Sequence, residues 1–162
     1  MLDLLIPTIS QGLLWSIMAL GVYITFRVLD IADLTVEGSF PLGAAVAAAM
    51  IVEGSDPFVA IFVAAIAGIF AGIITGVLHT KLKIPALLAG ILTMIALYSI
   101  NLRVMGKANV SLLRMDTVFT NMMDFGLSNV NAVLSIGIIS TVFFGILIYW
   151  FFGTEIGAAI RA

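Results

Sequence analysis

Residues 30–50 read DIADLTVEGSFPLGAAVAAAM and set two carboxylates, Asp33 and Glu37, directly before a run of small apolar residues. A charged side chain at bilayer depth costs at least about 2.5–3.5 kcal/mol, so such residues are rare and usually face protein or a water-filled cavity. The apolar run from Ser39 to Val52 is about 14 residues, or roughly 21 Å of helix at 1.5 Å per residue. A hydrocarbon core of about 30 Å asks for about 20 residues. Either the helix begins inside the protein at Ser39, with irregular backbone below it, or it reaches back through Glu37. Both arrangements bring an acid into or near a membrane.

The rest of the chain agrees with a membrane setting. Of its 162 residues 62% are hydrophobic and 10% charged, with a mean hydropathy of +1.25, against roughly 25% charged in soluble domains. The fold class that follows is all-α, a polytopic membrane bundle in a lipid bilayer with about five spanning helices and a short or broken second one. A net charge of −2 leaves no basic surface for nucleic acid. With no cysteine there is no disulfide framework and no thiolate metal site. The opening MLDLLIPTIS lacks a basic n-region and an A-x-A-like cleavage site, so it reads as a retained spanning helix.

Five segments have the length of a spanning helix: about Leu4 to Phe26, Val36 or Ser39 to Val52, Phe58 to Leu78, Ala86 to Leu102, and Asn131 to Phe152. The tight turn His79-Thr80-Lys81-Leu82-Lys83 is basic, which places it in the cytoplasm by the positive-inside rule. The N-terminus and residues 103–130 then lie outside, and the segment after Phe152 lies inside. Arg27, Lys81, Lys83 and Arg161 fall inside against Arg103, Lys107 and Arg114 outside.

In the third helix Ala60, Ala64, Gly68, Gly72 and Gly76 recur every four residues. Lipid supplies no hydrophobic drive between helices, so association depends on close backbone approach, which small residues permit. The stripe predicts tight packing inside one bundle, with Ala44, Ala45, Ala48 and Ala49 as a matching face on the second helix; an oligomer interface is the other use. On the fourth helix Gly90, Thr93, Leu97 and Asn101 share a face. Asn101 there either lines a pathway or bonds to a neighbouring helix, and Gln11 and Ser16 pose the same choice. The loop at 103–130 repeats Leu112, Met115, Val118 or Phe119, Met122 and Phe125 at three to four residues, which suits a short interfacial helix.

No enzyme site can be assembled. The single histidine, His79, stands at a helix C-terminus beside two lysines, where a cation is favoured, and no second histidine is present for a zinc cluster or triad. No P-loop run exists, so any ATP used must be bound by another chain. No cofactor or metal is called for. What remains is Asp33, Thr35, Glu37 and Ser39. If Ser39 caps a half-helix, its free N–H groups and positive dipole end point into the bundle, as in transporters built around broken helices. The competing reading leaves Asp33 and Glu37 at the cytoplasmic interface, solvated or paired with Arg27.

The tail, residues 153–162, leaves the last helix as a short amphipathic run through Thr154, Glu155, Ile156, Gly157 and Arg161. It resembles the T-x-x-G-x-x-x-R-A opening of the cytoplasmic coupling segment in ABC-importer permeases of the branched-chain amino acid and ribose superfamily, with Thr154, Gly157, Arg161 and Ala162 in its positions. The run from Phe26-Arg27 through Asp33 to Phe40, then Leu42-Gly43-Ala44, is similar to the second-helix signature of that superfamily. Its D-L-T-V-E-G-S-F form is similar to a subgroup of amino-acid permeases that includes a tryptophan type.

The resemblance covers the whole chain and implies one transmembrane permease domain over 1–162, working as a homodimer in the plasma membrane. It also implies a cytoplasmic ATP-binding cassette ATPase as partner and an extracytoplasmic lipoprotein that delivers substrate. Family members are about twice as long, so the chain reads as the N-terminal half. The function expected is alternating access for a small polar solute, an amino acid, driven by the ATPase through Thr154, Glu155, Ile156, Gly157 and Arg161. Asp33, Thr35, Glu37, Ser39 and Asn101 are the expected pathway residues. The rival is a secondary transporter or channel that uses Asp33 and Glu37 as proton or cation sites.

Overall fold

The computed structural model describes the backbone of residues 2–124, 126 and 128–161 and the side chains of residues 5–124, 126 and 128–160. Helix α1 (Leu2–Tyr23) continues through a π-helical turn at Ile24–Val28. It is followed by α2 (Thr35–Val52), α3 (Pro57–Thr80), α4 (Ala86–Met105), the short α5 (Val118–Asp124), α6 (Asn129–Phe152) and α7 (Glu155–Arg161). The first span with its π-turn, α2, α3, α4 and α6 are long and apolar enough to cross a membrane, and no strand occurs among the described residues.

Local chemistry sets the ends. Asp56 caps α3 by accepting from the amides of Phe58 (2.8 Å) and Val59 (3.4 Å), with Pro57 at the first helical position. Pro85 opens α4 and Gly106 closes it at φ 66°, a left-handed cap that suits glycine. Ser128 caps α6 through the Asn131 amide. In the basic turn, His79 Nδ1 donates to the Ile84 carbonyl at 2.9 Å and ties the end of α3 to the approach of α4.

The chain forms two compact units, one built on α1, α6 and α7 and the other on α2, α3 and α4. In the first, Gly137 of α6 lets that helix close on α1: a Cβ there would lie 3.0 Å from the Leu13 Cβ and 3.5 Å from the Ser10 carbonyl. Ser16 and Thr141 share a hydrogen bond of 3.0 Å, and Thr141 Oγ1 donates to the Leu13 carbonyl at 3.1 Å. Ser16 therefore bonds to a neighbouring helix, while Gln11 is exposed.

In the second unit, Leu42 and Val46 of α2, Ala67 and Ala71 of α3 and Leu97 of α4 make the apolar core. The face of α4 named from sequence turns inward, with Gly90, Thr93, Leu97 and Asn101 all buried. The stripe on α3 divides. Ala60 is fully buried and Ala64 half-buried, with its carbonyl 4.0 Å from where a Gly43 Cβ would stand. Gly68, Gly72 and Gly76 have open space where a side chain would be. The reason is rotational. Each step of four residues advances about 400° at about 100° per residue, so an i+4 stripe slews by about 40° per step and ends on the far side of the helix. The face that packs passes instead through Ala60, Ala71 and Thr75.

Two further expectations are corrected. Of the two starts open for the second helix the longer is found: it reaches back through Glu37 to Thr35, with Leu34 at its N-cap position, so the half-helix capped by Ser39 is the reading that falls. In the long loop only Val118–Asp124 is helical. Leu112 and Met115 lie in a turn closed by the Met115 amide on the Leu112 carbonyl, with Arg114 at φ 68°. Phe125 lies outside the described residues.

Candidate functional site

The segment 29–34 and the start of α2 are held by a polar joint. The Asp33 carboxylate accepts from the Thr35 amide at 2.8 Å, satisfying one of the donors that a helix start leaves free. This turn lies against α4 at Gly90, where a Cβ would come 2.8 Å from the Leu34 nitrogen and 3.1 Å from Asp33 Oδ1. No side chain larger than hydrogen fits there without moving backbone.

Three threonines tie the joint to both neighbours. Thr35 Oγ1 lies 2.8 Å from Thr75 Oγ1, Thr75 Oγ1 donates to Thr93 Oγ1 at 2.8 Å, and Thr93 Oγ1 donates to the Ala89 carbonyl at 3.1 Å. All three are buried. A hydroxyl has one proton to donate, and since Thr93 spends its own on Ala89, the chain runs from Thr35 to Thr75 to Thr93. Thr75 stands five residues before the end of α3 and Thr93 seven residues after the start of α4, or about 8 and 10 Å along the helices. Helix α2 thus begins about that far in from the end shared by its neighbours. Non-helical backbone at such depth is tolerated where protein buries it.

Just beyond the joint, α2 and α4 enclose a half-open cavity of about 360 Å³. From α2 come Glu37, Gly38 and Pro41; from α4 come Met94, Ile95, Tyr98 and Asn101. The helices meet closely because position 38 is glycine, where a Cβ would stand 3.0 Å from the Met94 Cα. Asn101, only 6% exposed, donates from Nδ2 to the Gly38 carbonyl at 3.4 Å. Its Oδ1 is buried and has no partner among the described residues. Pro41 has no N–H to return to the Glu37 carbonyl four residues earlier, so that carbonyl loses its regular helical donor. Among the described residues no lysine, arginine or histidine lines the cavity.

The five expected pathway residues therefore separate. Glu37 and Asn101 line one cavity, Asp33 and Thr35 belong to the joint, and Ser39 is half-buried within α2 outside the lining. Sequence reasoning passed over Thr75, because a threonine in a 24-residue apolar helix that also ends in Thr80 carries no signal before its neighbours are known. It also passed over Met94 and Tyr98, although both stand on the face of Asn101, seven and three residues before it.

At the other informative place, α7 is folded back on the end of α6. Thr154 Oγ1 donates to the Phe151 carbonyl at 2.6 Å and accepts from the Gly157 amide at 3.2 Å, so one hydroxyl both closes α6 and caps α7. A Cβ at Gly157 would collide with the Phe151 carbonyl and lie 2.5 Å from the Phe152 Cα. Glu155 and Ile156 are exposed, Ile156 by 67%. The Arg161 side chain and Ala162 lie outside the described residues.

Comparison with known proteins supplies the context. Residues 4–162 match the family described as branched-chain amino acid transport system / permease component. A tyrosine transport system permease protein of Clostridioides difficile is 48% identical over 115 residues, which cover 71% of this chain and 39% of the relative. An uncharacterized protein of Rickettsia prowazekii is 41% identical over 119 residues, 74% of this chain and 42% of the relative. The matched region is thus less than half the length of either curated relative. No solved structure matches the chain.

Proposed function

The chain belongs to the branched-chain amino acid transport system / permease component family, and from that premise we propose that it is the membrane-spanning part of an ABC importer for an amino acid. It is a multi-pass membrane protein, and in this reading its membrane is the plasma membrane, with the N-terminus and residues 103–130 outside and α7 in the cytoplasm. Two ATP-binding cassette subunits act on a permease homodimer, and an extracytoplasmic lipoprotein delivers the solute. ATP binding and hydrolysis in those partners favour one access state over the other, since a partner shifts an equilibrium only by its differential affinity for the two states.

The observation that carries the reading is the elbow between α6 and α7. Thr154 and Gly157 lock a seven-residue helix against the end of a spanning helix and leave Glu155 and Ile156 exposed for a partner. A force applied to α7 is then delivered to α6 through a short, hydrogen-bonded junction.

The chain has no native cysteine, so a Glu155→Cys variant can be probed with a membrane-impermeant maleimide. Labelling is expected in inside-out vesicles and absent in right-side-out ones; the reverse pattern would sink the reading. In parallel, Gly157→Leu should lose a co-expressed ABC ATPase that the unaltered chain retains through purification. The ion-coupled alternative rests on Glu37, since the Asp33 carboxylate is engaged as a cap. It requires flux that continues without ATP and stops in Glu37→Gln.

A further inference from the structure

Within the unit built on α1 and α6, the two helices approach closely at Gly137 and through the Ser16–Thr141 hydrogen bond. Toward their C-terminal ends they leave between them a half-open groove of about 850 Å³. Gly145, four residues beyond Thr141, lines it and has open space where a side chain would stand. On the other wall the π-turn at Ile24–Val28 fits an extra residue into one turn, a distortion that frequently marks functional places in helices. Ile24 and Val28 both line the groove. It lies in the last turns of the spans Leu5–Val28 and Asn129–Phe152, and so at a membrane boundary.

Both walls change chemistry in the same order toward that boundary. On α1, Leu20 is followed by Tyr23 and then by Arg27; on α6, Ile146 is followed by Tyr149 and Trp150 and, past the elbow, by Glu155. From Leu20 to Arg27 the change takes about 10 Å. A bilayer has the same order: hydrocarbon, then the interface where tyrosine and tryptophan gather, then charged headgroups. Tyr149 and Trp150 are 84% and 71% exposed, aromatic rings open to whatever surrounds the chain. A neighbouring helix has no such gradient built into it, whereas a single phospholipid has it along its own length.

The charges narrow the headgroup. Arg27 and Glu155 are exposed, and neither has an ionic partner among the described residues. Arg27 adjoins Val28 on one wall and Glu155 adjoins Thr154 on the other, so opposite charges flank the mouth. Asp30, also exposed, adds a second carboxylate on the α1 side. A net-anionic headgroup would meet two carboxylates for one guanidinium. The complement is a zwitterion, with a phosphate for the guanidinium and an ammonium whose N–H donors suit the carboxylates.

We propose that the groove between the last turns of α1 and α6 binds one phospholipid with a zwitterionic headgroup that ends in a primary ammonium. An acyl chain lies over Gly145 between Leu20 and Ile146, Arg27 takes the phosphate, and Glu155 with Asp30 takes the ammonium. The site depends neither on the importer reading nor on which end of the chain faces the cytoplasm.

The chain has two tryptophans, Trp15 and Trp150, so Trp15→Phe leaves a single emitter, and it lines the groove. The full chain with that change is reconstituted in phosphatidylcholine bilayers. It is titrated with phosphatidylethanolamine, phosphatidylcholine or phosphatidylglycerol, each brominated on its acyl chain, and contact quenching of Trp150 reports the occupant. Phosphatidylethanolamine should occupy the site about threefold more readily than phosphatidylcholine, the scale of an exposed ion pair, and more readily than phosphatidylglycerol. Glu155→Gln combined with Asp30→Asn should erase that ratio and turn the preference to phosphatidylglycerol, because Arg27 then stands alone. Asparagine tolerates the left-handed φ of 51° at position 30. Gly145→Leu fills the groove and should lower quenching by all three lipids, while circular dichroism shows the helices retained. Trp150→Phe, which leaves Trp15 as emitter, should show no headgroup preference.

Equal quenching by phosphatidylethanolamine and phosphatidylcholine, a preference for phosphatidylglycerol in the unaltered groove, or undiminished quenching in Gly145→Leu would each overturn the assignment. So would a Trp150 shielded from every lipid while Tyr149→Cys chains cross-link to one another, since a second copy of the chain would then cover the groove.

Discussion

The α2–α4 seam and the outer face of α3 are both made of glycine and small residues, yet they do opposite things. At the seam, Gly38 and Gly90 let backbone meet backbone: a Cβ would stand 3.0 Å from the Met94 Cα at one and 2.8 Å from the Leu34 nitrogen at the other. On α3, Gly68, Gly72 and Gly76 face open space. Composition is the same and consequence is not, because close approach depends on which face a neighbour occupies. A small-residue pattern is permission to pack, and only a partner makes use of it.

The comparison can be broken most sharply at the seam. Gly90→Ala and Gly38→Ala each force backbone to shift and should lower stability by about 1–3 kcal/mol, the usual cost of overpacking. Reversible unfolding of the chain from mixed micelles would register this, and an unchanged midpoint would mean the seam is looser than described. Thr75→Val removes the middle hydroxyl of the relay and should cost about 0.5–1.5 kcal/mol, near the modest values found for hydrogen bonds between membrane helices. A loss no greater than that of Thr80→Val, whose exposed hydroxyl bonds only within its own helix, would show that the inter-helix links add nothing. Gly72→Ala should lie within about 0.5 kcal/mol of the unaltered chain, as surface substitutions do. If instead it disrupted a dimer in cross-linking, the α3 stripe would be an interface between copies.

Much of this architecture is legible in the sequence. Long apolar runs give the five spans, and Pro85 marks the start at Ala86; the caps Asp56 and Ser128 stand two and three residues before the starts read at Phe58 and Asn131, because a polar cap falls outside the apolar run that reveals a span. Thr154 and Gly157 are picked out as a pair by the resemblance of the tail, and the structure gives them duties, a cap and a close approach, that are fulfilled within a few residues of chain. The start of α2 is harder. Ser39 and Asp33 both have cap chemistry, and the choice falls to Asp33 because its carboxylate reaches the Thr35 amide while the turn fits against Gly90, a contact about 55 residues away in sequence. The cavity is harder still. Glu37 and Asn101 are visible singly as polar residues in apolar helices, but nothing local places them on one hollow or leaves Oδ1 unpaired.

Because Thr35, Thr75 and Thr93 have one proton each to give, their relay is complete in a single arrangement of α2, α3 and α4. Sliding α2 by one turn, about 5.4 Å, would sever its link to Thr75 and lift Asp33 off Gly90 in the same stroke. The relay works as a detent: small displacements spring back, and intermediate positions have little to hold them. Any conformational cycle would carry these three helices as one block, with the compliance lying elsewhere in the chain.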